Sequence, residues 1–242
     1  MYKQNTFHGK KSFVAMVMAL LSSVAVAAYA AKDLVQDRRI NVAQAQNMLK
    51  KAQATQGSND FPLVINERVL FELNRFLGTP DGREQVRKAL ARMPLYQDMI
   101  FRKINAAHAP AELVGVAFAE SGFSNLPQPR NHRSAGLWQF IPETARRFGM
   151  KVNRDIDERL HPEKATDAAL EYLLTNKALF EGNWHLSIMA YNAGEKRILE
   201  GIKALNTKDP WELAKNGYEG DSNYLARVIA SILILKNPDS AN

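Results

Sequence analysis

From Phe61 to Lys236 the apolar residues of this 242-residue chain return at intervals of three and four, and no stretch alternates as a strand would. That period dictates a mostly α fold. "NERVLFELNRFLG" puts Val69, Leu70, Leu73, Phe76 and Leu77 on one face, with Gly78 to close the helix. "TPDGREQVRKALARM" and "PLYQDMIFRKINAAH" read as two more helices, the second with Pro94 at a favoured first-turn position. Further helices start after Pro110 and near Pro142, and "HPEKATDAALEYLLTNKALFEGN" is long and amphipathic. "WHLSIMAYNAG" is nearly all apolar and should be buried; the tail, "RILEGIKAL" to "SNYLARVIASILILKN", should add helices that cover it.

The region ahead of this pattern is different. Lys3, Lys10 and Lys11 precede the apolar run "SFVAMVMALLSSVAVAA", and "AYAA" supplies small residues, Ala28 and Ala30, before a cut at Ala31. Residues 1–30 therefore read as an export signal, with an uncleaved membrane anchor as the alternative. Either way the remainder is expected outside the cytoplasm, in the periplasm or cell envelope. Residues 31–60, rich in Gln, Ala and Lys and ending in Gly-Ser-Asn-Asp, read as a polar tether, in part helical, rather than a domain. Residues 61–107 then form an N-terminal helical extension, and residues 108–242 the main domain. The chain has no cysteine, which excludes a disulfide framework, a thiolate metal site and a thiol nucleophile. Its formal charge of +7 falls to +4 without the three signal lysines, a balance that suits anionic wall polymers or membrane surfaces. The basic residues are dispersed among acidic ones, which argues against nucleic acid.

One residue breaks the pattern. In "AELVGVAFAESGFSN" the helical spacing aligns Leu113, Val116, Ala117 and Glu120 on one face, so a carboxylate lies on the stripe that should meet the core. The positions three and four residues away hold Val116, Ala117, Phe123 and Ser124, none of them a cation. Two readings fit. Glu120 is an acid whose pKa burial raises, able to give a proton to a leaving oxygen near neutral pH, or it is a glutamate at a helix end facing solvent.

Two other segments bear on the choice. "GLWQF", Gly136 to Phe140, combines a flexible glycine, two aromatics and an amide, which suits a groove that binds sugars and equally suits a packed loop. "AYNAG", Ala190 to Gly194, puts Tyr191 and Asn192 at the end of a very apolar helix, where Asn-Ala-Gly is also an ordinary helix stop. Taken together with the buried acid, they make a coherent sugar site.

Glu-Ser, then Gly-Leu-Trp-Gln-Phe, then Ala-Tyr-Asn-Ala-Gly, in this order and spacing, resembles the soluble-lytic-transglycosylase family. The segments "NERVLFELNRF", "PLYQDMI" and "GNWHLSIMAYNAGEKRI" are most similar to its membrane-bound lytic murein transglycosylase D subgroup, and the resemblance spans roughly residues 64 to 236. It implies a goose-type lysozyme-like catalytic domain that cleaves peptidoglycan without a cofactor. By the same resemblance Glu120 is the catalytic acid/base and Ser121 supports it by hydrogen bonding. Gln139 lines the groove near the scissile bond, Tyr191 orients the Glu120 carboxyl, and Asn192 holds an N-acetyl group. Gly136 and Gly194 allow close backbone approach. "HAPAEL" stands where the family usually has a Leu-Pro pair, and no wall-binding LysM repeat is recognisable. Peptidoglycan strands are the implied partner, and an association with the membrane or wall-building machinery would fit an exported enzyme.

Most glycosidases need two carboxyl groups. The nearest other acids, Glu143, Asp155, Asp157 and Glu158, sit among polar, helix-starting or loop residues, where capping and solvation account for them. The resemblance implies a reaction that needs only one: closure of a 1,6-anhydro ring on N-acetylmuramic acid. A lysozyme-type hydrolase of the same fold and a wall-binding module or scaffold with little activity are the rival readings. His108, His132, His161 and His185 show no paired metal-ligand spacing, so no metal is expected.

Overall fold

The computed structural model describes residues 39–56, 61–127, 129 and 133–241. Residues 40–242 form one compact unit, and the other unit, Met1–Arg39, lies almost wholly outside the described residues, as does the expected export signal. The described chain is helical: α1 (Val42–Ala54), α2 (Glu67–Leu77), α3 (Pro80–Arg92), α4 (Gln97–Ala106), α5 (Val114–Ser121), α6 (Pro142–Arg147), α7 (Pro162–Leu179), α8 (Trp184–Ala193), α9 (Glu195–Leu205), α10 (Pro210–Lys215) and α11 (Tyr224–Leu235). Its only β pairing is two isolated bridges, Ala135 with Phe140 and Val152 with Asp157. Among the described residues no helix is long and apolar enough to cross a membrane.

The helix starts carry the expected chemistry. Asn66, Thr79 and Asn183 cap α2, α3 and α8 by accepting a backbone N–H from three residues on, and Pro80, Pro142, Pro162 and Pro210 occupy first turns. Pro94 instead sits in a 3-10 turn, Met93–Leu95, and α4 begins after it at Gln97.

The tail helices α9, α10 and α11 pack on α8 as expected, and α11 is in addition the central helix of this unit. In α11, "YLARVIASILIL", ten residues are buried, because an apolar surface all the way round can be satisfied only at the centre. α5, α2, α8 and α1 pack around it. The contact with α5 needs a glycine: a Cβ on Gly115 of α5 would lie 2.3 Å from Ile232 Cγ1. α2 packs on α11, so the helical extension of residues 61–107 shares its core with the main domain.

Part of the stretch read as a polar tether is also packed. α1 opens on a capping box between Asn41 and Gln44 and buries Ala45, Met48, Leu49 and Ala52. Asn74 of α2 clasps the chain just ahead of it, accepting from Ile40 N at 2.8 Å and donating to Ile40 O at 2.9 Å. At the other end of the chain, Asn237 Nδ2 donates to Met48 O at 3.1 Å.

Candidate active site

α5 is short, and its first five residues, Val114 to Phe118, are buried. It stops at Gly122, which takes the left-handed conformation at φ +54° and donates its N–H to Phe118 O. Glu120 thus occupies the last turn, partly buried, at the end of a helix whose dipole disfavours negative charge. Burial drives its pKa up to about 7, more than the Tyr224 hydrogen bond and the Arg227 charge pull it down; Asp221 adds to the rise. Glu120 therefore carries a proton up to neutral pH.

The hydroxyl that holds Glu120 comes from the far end of the sequence. Tyr224 Oη, in the first turn of α11, donates to Glu120 Oε1 at 2.5 Å. With Oε1 engaged, Oε2 is the oxygen left for a proton that can be handed on. The expected orienting group, Tyr191, is otherwise committed: its hydroxyl donates to Trp138 O at 2.8 Å. It still lies close enough for the Glu120 charge to help push its own pKa up, behind burial as the larger cause. Ser121 does not bond Glu120 either. Its Oγ donates to Leu137 O at 2.8 Å and ties the end of α5 to the Gly-Leu-Trp-Gln-Phe loop.

That loop is a tight reversal closed by the Ala135 N–H to Phe140 O bond. Gly136, at φ +80°, makes it: a Cβ there would lie 2.0 Å from Arg159 O. The close approach that Gly136 permits is therefore to the protein's own backbone, and Gly136 does not line the cleft. Trp138 is fully buried with its Nε1 on Thr166 Oγ1, so of the two aromatics only Phe140 reaches the cleft wall. Gln139, itself left-handed at φ +49°, lines the cleft with its amide braced at both ends, Nε2 to Gly136 O and Oε1 from Ser134 Oγ.

The cleft measures about 360 Å³ and brings together Glu120, Gln139, Tyr191, Asn192 and Gly194. Asn192 is exposed, and its Oδ1 accepts from Asp221 N at 3.0 Å, which pins the loop before α11 to the end of α8. Gly194, at φ +82°, leaves the backbone open at the wall, with nothing within 4 Å of where a Cβ would stand. Ser134, Ile141, Thr144, Tyr172 and Ala193 also line the cleft and were not anticipated. Glu120 is the one carboxylate lining the cleft among the described residues. Glu143 pairs with Arg133 at the start of α6, Asp157 with Arg159, and Glu158 with Lys164 and the Lys151 N–H.

No group of three or more metal-ligating side chains occurs among the described residues. His161 caps α7, His185 meets Pro62 O at 2.7 Å in a buried setting that lowers its pKa, and His132 lies outside the described residues.

Comparison with known proteins locates a transglycosylase SLT domain at residues 99–214. The membrane-bound lytic murein transglycosylase D of Escherichia coli K12 is 31% identical over 178 residues, covering 66% of this chain and 39% of that protein. The peptidoglycan transglycosylase gp16 of Escherichia phage T7 is 30% identical over 141 residues, 57% of this chain and 10% of that one. An X-ray structure of an inactive mutant of lytic transglycosylase Slt from Pseudomonas aeruginosa aligns with 21% identity and a TM-score of 0.47, over 60% of this chain and 24% of that one. The chain thus spans about two fifths of the length of the transglycosylase D that it matches.

Proposed function

This chain carries a transglycosylase SLT domain and belongs to the lytic transglycosylase family, and from that premise we propose that it cleaves the β-1,4 bond between N-acetylmuramic acid and N-acetylglucosamine in peptidoglycan, leaving a 1,6-anhydro end. The observation that carries the reading is Glu120, a lone cleft carboxylate that burial keeps protonated to about pH 7. A protonated Glu120 gives its proton to the glycosidic oxygen as the C1–O bond breaks, and N-acetylglucosamine leaves with a free 4-hydroxyl. The neighbouring N-acetyl group shares the positive charge left at C1. Glu120, now a carboxylate, takes the proton of the C6 hydroxyl while O6 closes on C1. The enzyme is returned protonated and no water is consumed. A nucleophile on the same sugar brings the advantage of an intramolecular reaction, so the second carboxylate of an ordinary glycosidase has no task.

The surrounding residues divide the remaining work. Tyr224 keeps Oε1 occupied, so the mobile proton belongs to Oε2. Gln139 and Asn192, polar groups lining the same cleft as Glu120, are the candidates for holding hydroxyl and N-acetyl groups of the strand. Tyr191 supports the loop at Trp138 and flanks the acid. Peptidoglycan as substrate puts the working enzyme in the cell envelope.

Digestion of purified peptidoglycan, read by mass spectrometry, tests the reading. The expected products are lighter by one water than hydrolytic fragments, and Glu120→Gln should reduce their rate of formation by about three orders of magnitude. Full-mass reducing ends would identify a hydrolase instead. Binding without products would identify a wall-binding module.

A further inference from the structure

The hydroxyl on Glu120 belongs to the first residue of α11, and that helix start is held in an uncommon way. Its N-cap, Asn223, is left-handed at φ +62° and its side chain caps nothing in α11. The capping is done from four residues upstream by Glu219, which is buried and accepts Asn223 N at 2.8 Å on Oε1 and Leu225 N at 3.2 Å on Oε2. Beside these two bonds, a nearby cation further favours the charged form of a buried carboxylate. α2 supplies it: Arg68 Nη1 donates to Glu219 Oε1 at 3.0 Å and to Asn223 Oδ1 at 2.8 Å, and Nη2 reaches Ala214 O at 3.4 Å. One guanidinium therefore joins the end of α10, the loop and the first turn of α11. Both Arg68 and Glu219 lie outside residues 99–214.

We infer that Arg68 is a positioning residue for the active site: by bonding Glu219, Asn223 and Ala214 together it fixes the first turn of α11, and with it the Tyr224 hydroxyl on Glu120. The inference rests on reading Glu120 as the acid. Burial raises the Glu219 pKa against the Leu225 and Asn223 N–H bonds and, behind these, the Arg68 charge; removing Arg68 takes away its three bonds and weakens that opposition. A protonated Glu219 turns one acceptor oxygen into a donor facing a backbone N–H, and the turn that carries Tyr224 loosens. Glu120 then loses a bond that favours its charged form. The other groups bearing on Glu120 are Arg227 of α11, Asp221 of the preceding loop and Tyr191 of α8. Arg227 is in turn held by Asp221 at 2.6 Å and faced by Glu72 of α2 at 3.6 Å, and none of these contacts involves Arg68.

The test compares wild type, Arg68→Ala, Arg68→Gln, Arg68→Lys and Glu120→Gln. It measures kcat and KM on purified peptidoglycan against pH, the melting temperature, and the titration of Glu120 by carbon-13 NMR of labelled glutamate. Because Glu120 must start protonated, activity falls as pH rises through its pKa. Arg68→Ala and Arg68→Gln are expected to lose about tenfold in kcat with KM little changed. Their alkaline limb and the Glu120 midpoint should both move up by roughly half a pH unit, and Arg68→Lys should bring both back. A lowered melting temperature with limb and midpoint unmoved would overturn the inference and leave Arg68 a structural residue. If Arg68→Ala does not fold, the comparison of Lys with Gln at the same position decides. Normal turnover in Glu120→Gln would instead overturn the reading of the acid, while the NMR midpoint would still report whether Arg68 governs it.

Discussion

At the scale of single residues, the fold tolerates at Glu120 a group it would be better without. A buried carboxyl costs nothing below its ordinary value of 4.5 and costs most above about 7, by up to roughly 3 kcal/mol. Glu120→Gln should therefore melt higher than wild type at pH 8 and differ little at pH 4, a comparison open to simple thermal denaturation. Tyr224→Phe removes a bond that favours the ionised acid, so the Glu120 pKa should rise by about one unit and the alkaline limb of activity should follow it. Glu120 was legible in the sequence because an apolar stripe with one acid on it is a local pattern. Its partner was not, since Tyr224 lies 104 residues away and no periodicity reports which hydroxyl will arrive. The same limit explains Ser121 and Tyr191. Their roles beside the acid were expected from the family resemblance, but the carbonyls they bond, Leu137 and Trp138, belong to a loop whose path no periodicity encodes.

Among the elements, α11 and α5 decide the geometry of the site, because each carries one end of the Tyr224–Glu120 bond. Gly115→Ala would push a methyl to within 2.3 Å of Ile232 Cγ1 and 3.3 Å of Val228 O. It should destabilise the protein by about 1–3 kcal/mol in urea titration and weaken activity further by spreading the two helices. Most helices could be read from period, caps and prolines. The centrality of α11 was harder to foresee, since "SNYLARVIASILILKN" is apolar enough to cover a core or to be one, and the difference lies in which faces other helices occupy. The packing of α1 into the core was missed for the opposite reason. Two alanines make up half of its buried face, and small residues leave a faint hydrophobic signal even where packing is close.

For the molecule as a whole, the cleft depends on both ends of the described chain. Arg68 meets Glu219 across 151 residues, Arg87 meets Ala241 across 154, and Asn237 meets Met48 across 189. A fragment limited to residues 99–214 lacks α2 and α11, and should neither melt cooperatively nor cleave peptidoglycan, whereas residues 39–242 should do both. The clasp at Asn74 has a mechanical side as well. Tension on the chain ahead of Ile40 would load its two hydrogen bonds side by side, so that they must fail together instead of one after the other. Behind them stand α1, gripped again at Met48 by Asn237, and the flank of α2. A pull is spent there before it reaches the cleft, much as a strain relief protects the joint at the end of a cable.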